Sequence, residues 1–152
     1  VTPTLMGRIQ TRIFLVAVIG SIWTLLITPL LPVDAPLDIK YTVTYRVLLA
    51  FGLCGIVWEC IYHGLMQLRW EKDWPAFLTI LLIVPEGFVV WLLMRFGVLG
   101  PSAEAIARNL VEFALLSFLI HFVTTYYVAF LWSNTFMRVQ SIRWRFRGGR
   151  LI

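Results

Sequence analysis

Charge is scarce in this chain. Only 14% of its 152 residues are Asp, Glu, Lys or Arg, where a soluble domain of ordinary composition carries about a quarter. A water-soluble globule of this length needs a polar shell, and this sequence does not supply one. Cysteine occurs only at Cys54 and Cys60. A separation of six puts the two on different faces of a helix, so a C-x-x-C redox pair is excluded and small packing residues are expected. There is no Ser-His-Asp set, no phosphate-binding glycine loop and no zincin motif. No enzyme is expected. Repeats and long linkers are missing as well, so residues 1–152 read as a single domain.

Apolar side chains take the place of charge. The chain is 60% hydrophobic and 15% aromatic, and these residues gather into blocks of about 20, the length that crosses a hydrocarbon layer of about 30 Å. The pattern predicts an all-α, polytopic membrane protein, a four-transmembrane-helix bundle. Its spans fall at about 13–31, 47–68, 75–96 and 107–132, followed by a basic tail at about 137–152. Pro75 suits the first turn of the third helix, and Ser102 is a candidate N-cap for the fourth, which is expected to run on to about residue 136. The first apolar run is longer than a signal-peptide core and no A-x-A site follows it, so a retained signal-anchor is expected.

Basic residues give the orientation. With four spans, the termini and the central loop share a side. Of the 13 Lys and Arg residues, that side holds nine, including Arg8, Arg12 and Lys72, and the other holds Lys40, Arg46, Arg95 and Arg108. Nine against four places both termini in the cytoplasm by the positive-inside rule. Arg138, Arg143, Arg145, Arg147 and Arg150, interleaved with aromatics in the tail, read as contacts to anionic lipid headgroups rather than to nucleic acid.

Against this apolar background "LLIVPEGFVV" is anomalous: Glu86 follows a proline, with no other charge between residues 75 and 94. Glu59 is its counterpart. Measured from Lys72 in the central turn, Glu59 lies 13 residues before (72 − 59) and Glu86 lies 14 after (86 − 72). An antiparallel hairpin therefore holds both at one depth, about 20 Å from the turn. His121 falls at a similar level on the fourth span, and His63 is one turn from Glu59. Glu59, His63, Glu86 and His121 thus form an expected intramembrane polar cluster, structural or proton-binding. An ionised carboxylate at the bilayer centre costs roughly 3 kcal/mol on insertion scales, so the glutamates are expected to be neutral, shared with a histidine, or metal-bound.

Several chemistries fit such a cluster. Polar groups hold membrane helices together by interhelical hydrogen bonds, and they also mark proton and substrate pathways. A di-metal bundle uses a doubled Glu-x-x-His, which is missing here because Glu59 and His63 are four apart. Haem ligation by His63 and His121 requires both at one level. No cofactor and no metal is expected.

The stretches "TPTLMGRIQTRIF" and "WECIYHGLMQLRWEKDWPAF" resemble an actinobacterial four-span membrane protein family that includes the LucB-type accessory subunit of mycobacterial Mce lipid importers. The resemblance covers spans one to three. It implies a subunit packed beside the permease core of a multi-chain lipid transporter, with no catalytic residues to carry over. The expectation is a non-enzymatic accessory or assembly subunit of a bacterial inner-membrane complex, with other membrane subunits and anionic lipids as partners. The alternatives are a small proton-coupled transporter or channel using Glu59, Glu86 and His121, and a haem or quinone redox subunit.

Overall fold

The computed structural model describes residues 4–68, 76–101, 111–141, 144 and 146–152. Every regular element among them is helical. Four helices are long and apolar enough to cross a membrane: Leu5–Leu30, Leu37–Gln67, Phe77–Arg95 and Leu115–Met137. The turn containing Lys72, the stretch with Ser102, Glu104 and Arg108, and the tail residues Arg143 and Arg145 lie outside the described residues.

The first helix starts at Leu5, well before the expected position near 13, because Thr4 caps it: the Thr4 hydroxyl accepts the Gly7 N–H at 3.1 Å. It widens into a π-helical turn over Leu15–Gly20, returns to α over Ser21–Ile27 and tightens to a 3₁₀ turn around Pro29. The second helix, Leu37–Gln67, follows Pro36 directly and has 31 residues. It therefore takes in most of the segment expected to be an outer loop, and at 1.5 Å per residue it reaches about 46 Å. Asp38 in its first turn suits the positive end of the helix dipole.

The third helix is broken. Ala76–Leu81 and Ile83–Arg95 are separated at Leu82. Pro85 has no N–H to offer the Leu81 carbonyl, and the chain answers by turning at Leu82 and starting a new helix. Glu86 consequently lies in an N-terminal turn, where the dipole favours a carboxylate. At the far end Gly97 and Gly100 adopt positive φ of 74° and 99°, and Arg46 Nη1 donates to the Leu99 carbonyl at 2.9 Å. The fourth helix, Val111–Trp132, continues through a π-helical turn, Ser133–Met137, into Arg138–Gln140.

The core lies between the second, third and fourth helices. Phe122 stacks on Phe118 and meets the edge of Phe51, with ring centres 5.4 and 5.1 Å apart, and Val47 and Val90 close the cluster. Gly87 makes room for it, since a Cβ there would stand 2.9 Å from Phe122 Cε1. The outside of the bundle is apolar: Leu26, Leu53, Val57 and Phe88 are all exposed. Lipid tails or neighbouring helices suit that surface.

Candidate functional site

Two arginines, not two histidines, meet the buried Glu86 and the partly buried Glu59. Arg12 spans Glu86 and Glu59: its Nη2 pairs with Glu86 Oε2, its Nη1 lies 3.5 Å from Glu86 Oε1, and the same Nη1 is 3.5 Å from Glu59 Oε1. Arg8 Nε donates to Glu59 Oε2 at 2.7 Å. Tyr62 adds a hydroxyl, donating to Glu86 Oε1 at 3.2 Å, and the Phe51 ring lies 4.3 Å from the Arg12 guanidinium. Glu86 is 1% exposed. The pairs tie the first, second and third helices together, and their two cations balance their two anions.

Local sequence builds this arrangement. Arg8 and Arg12 are one turn apart on the capped N-terminal half of the first helix, so both face the same way. Gly55 and Gly52 on the second helix let that half approach: a Cβ at 55 would collide with the Arg12 guanidinium, and one at 52 would stand 3.1 Å from Val16 Cγ1. Membrane helices use small residues for such close passages. Charge inside a low-dielectric bundle persists only when paired and hydrogen-bonded. Arg8 and Arg12, counted in the sequence among the basic residues of one side, are engaged by these carboxylates.

The expected four-residue cluster therefore divides. Glu59 and Glu86 share Arg12. His121 belongs to a second polar set, with Nε2 2.9 Å from Thr24 Oγ1. Thr28 Oγ1 donates to the Thr24 carbonyl at 2.6 Å and lies 2.9 Å from Thr44 Oγ1, carrying that set towards the far end of the bundle. His63 stays near the end of the second helix, accepting from Gln67 at 3.4 Å. Among the described residues no three His, Cys, Asp or Glu side chains gather as a metal site requires. The missed residues had a signal. Two unmatched carboxylates at one depth call for two cations, and Arg8 and Arg12 are one of the basic pairs spaced by a helical turn.

Beside the ion pairs, lined mainly by the first and fourth helices, lies a crevice of about 560 Å³. Arg8, Arg12 and Glu59 line it, as do Leu15, Phe130, Ser133 and Asn134, and the exposed Arg138 marks its mouth. The C-terminal tail rims it. Instead of extending away, the tail folds back onto the first helix: Gly148 O accepts the Thr4 N–H at 2.9 Å, Gly149 O accepts the Thr11 hydroxyl at 2.9 Å, and Trp144 Nε1 donates to Thr11 Oγ1 at 2.8 Å. Gly7 permits the contact, because a Cβ there would collide with the Gly148 carbonyl. Of the residues expected at lipid headgroups, Arg138, Arg147 and Arg150 are exposed.

Comparison of the chain with protein families, curated proteins and solved structures finds no match.

Proposed function

We propose that this protein is a non-enzymatic accessory subunit of a multi-chain complex in a bacterial inner membrane, with both termini in the cytoplasm and with lipid or another hydrophobic substrate as the cargo of the complex. The observation that carries the reading is the set of ion pairs in the polar core. Glu59 and Glu86 are matched by Arg8 and Arg12 across three helices, an arrangement suited to fixing helix register. The small extramembrane loops and the exposed apolar helix faces favour work within the membrane plane. Setting Arg8 and Arg12 aside leaves seven basic residues against four, so the charge bias still favours cytoplasmic termini. The resemblance of the first three spans to the LucB-type subunits makes a Mce-type lipid importer the preferred complex.

Co-purification tests the proposal. Extracted from native membranes in a mild detergent, the tagged chain should bring stoichiometric larger membrane partners. Recovery of the chain alone, from membranes in which other complexes survive the same extraction, would overturn it.

The crevice that reaches Glu59 and Arg12 favours a second reading, a small proton-coupled transporter. On that reading the purified chain alone, reconstituted in vesicles, moves protons, and Glu59→Gln abolishes the movement.

A further inference from the structure

The crevice between the first and fourth helices joins two environments. Inside it, Arg8 and Arg12 are paired with Glu59, and Arg12 also reaches Glu86 behind the lining. Towards its mouth stands Arg138, which is exposed and makes no ion pair among the described residues. Gly148 and Gly149 on the rim are flanked in the chain by Arg147 and Arg150, both exposed. Arg138 therefore gives the mouth a positive charge among the described residues. Leu15 and Phe130 add apolar surface to the same space.

That combination selects its occupant. A volume of about 560 Å³ lies within the range of small-molecule sites. A free inorganic phosphate is small and strongly hydrated, and gains nothing from the aliphatic and aromatic walls. A zwitterionic headgroup gains less than an anionic one from a cluster of arginines, which attract acidic lipids at a membrane surface. An anionic phospholipid satisfies both parts, its phosphate at the cationic mouth and an acyl segment along the apolar wall. Arginine is well matched to the phosphate, because its planar fork of donors fits two oxygens at once.

We propose that this crevice is a binding site for a single anionic phospholipid, its phosphate held at Arg138 and an acyl chain lying along Leu15 and Phe130. The site belongs to the lone chain and does not depend on the accessory-subunit reading. A chain that binds lipid but finds no partner would remove that reading and keep this one.

Native mass spectrometry of the purified full-length chain in a non-ionic detergent tests the site, with phosphatidylglycerol, phosphatidylcholine and inorganic phosphate as probes. A single phosphatidylglycerol should be retained per chain, phosphatidylcholine should bind less tightly, and inorganic phosphate should not displace the lipid. Arg138→Gln should weaken phosphatidylglycerol roughly five- to tenfold. Ser133→Phe, which narrows the crevice without changing charge, should weaken it as well. Arg95→Gln, the same loss of charge at the opposite end of the bundle, should leave binding intact. Equal weakening by Arg95→Gln and Arg138→Gln would reduce the effect to general surface attraction and overturn the site. So would unchanged binding in both Arg138→Gln and Ser133→Phe, and so would displacement of the lipid by inorganic phosphate, which would make the ligand a soluble anion. Circular dichroism confirms that each variant is folded, and Arg138, being exposed, keeps the test open if Ser133→Phe is not.

Discussion

Gly55 faces the Arg12 guanidinium so closely that a Cβ at position 55 would stand 2.6 Å from Arg12 Nη2 and 2.7 Å from Cζ. The arginine cannot simply swing aside, because both carboxylates and the Phe51 ring hold it. Gly55→Val should therefore destabilise the bundle by about 1 to 3 kcal/mol, the usual cost of overpacking. Gly64, on the same helix, has no atom within 4 Å of an added Cβ. Gly64→Ala should be neutral or stabilising by up to about 1 kcal/mol through helix propensity. Thermal unfolding in detergent reads both, and equal effects would remove the special role of the Gly55 contact.

The ion pairs predict strong coupling. Removing one member of a buried pair leaves the other uncompensated, at about 3 to 5 kcal/mol. Arg12→Leu and Glu86→Leu should each approach that loss, and the double variant should lose less than the sum of the two. Glu86→Gln should fall between wild type and Glu86→Leu, since glutamine still accepts from Tyr62 but no longer matches the charge of Arg12. A double-mutant cycle with additive losses would show that the pair contributes nothing through its contact.

The second polar set gives a smaller effect. Thr24 is fully buried and hydrogen-bonded to His121. Thr24→Val preserves the shape and removes the hydroxyl, so the loss should be about 0.6 to 1.7 kcal/mol, the range for interhelical bonds in membrane bundles. Loss of the ion pairs at the same time, monitored by the Arg12–Glu86 coupling, is not expected, because Thr24 and His121 bond to each other and not to Arg12 or Glu86.

The folded-back tail yields a prediction that needs no ligand. Gly7→Val should drive the Gly148 carbonyl away and release the tail from the first helix. Limited trypsin digestion should then cut after Arg147 and Arg150 several-fold faster, while the transmembrane fragment stays intact. Thr11→Val, which loses the bonds to Gly149 and Trp144, should loosen the tail by about 0.5 to 1.5 kcal/mol per bond. An unchanged digestion rate in both variants would contradict the docked tail.

Orientation is open to a direct test. In a background with Cys54 and Cys60 replaced by serine, a cysteine at Ala35 should react with an impermeant reagent added outside intact cells, and one at Lys72 should not. Labelling at position 72 alone would reverse the topology.

The sequence by itself determined that four helices are long and apolar enough to cross a membrane, and it placed the two glutamates at a common level of the bundle, where both meet Arg12. Both follow from one-dimensional quantities: apolar length against membrane thickness, and residue count from a central turn at a fixed rise per residue. It did not determine what the glutamates touch. Counting basic residues treats an arginine near the start of a span as a cytoplasmic charge, and nothing local separates Arg8 and Arg12 from residues left in water. That distinction needs Thr4 to start the helix early and Gly55 to admit Arg12. His121 sits on the expected span, yet its partner Thr24 was settled by how the first and fourth helices turn against each other. Likewise "RWRFRGGR" displays its charge in sequence, while its return to Gly7 exists only in three dimensions. The physical reason is common to all three. Burying a charge or a carbonyl is favourable only with a partner at bonding distance, and distance between helices is a property of packing.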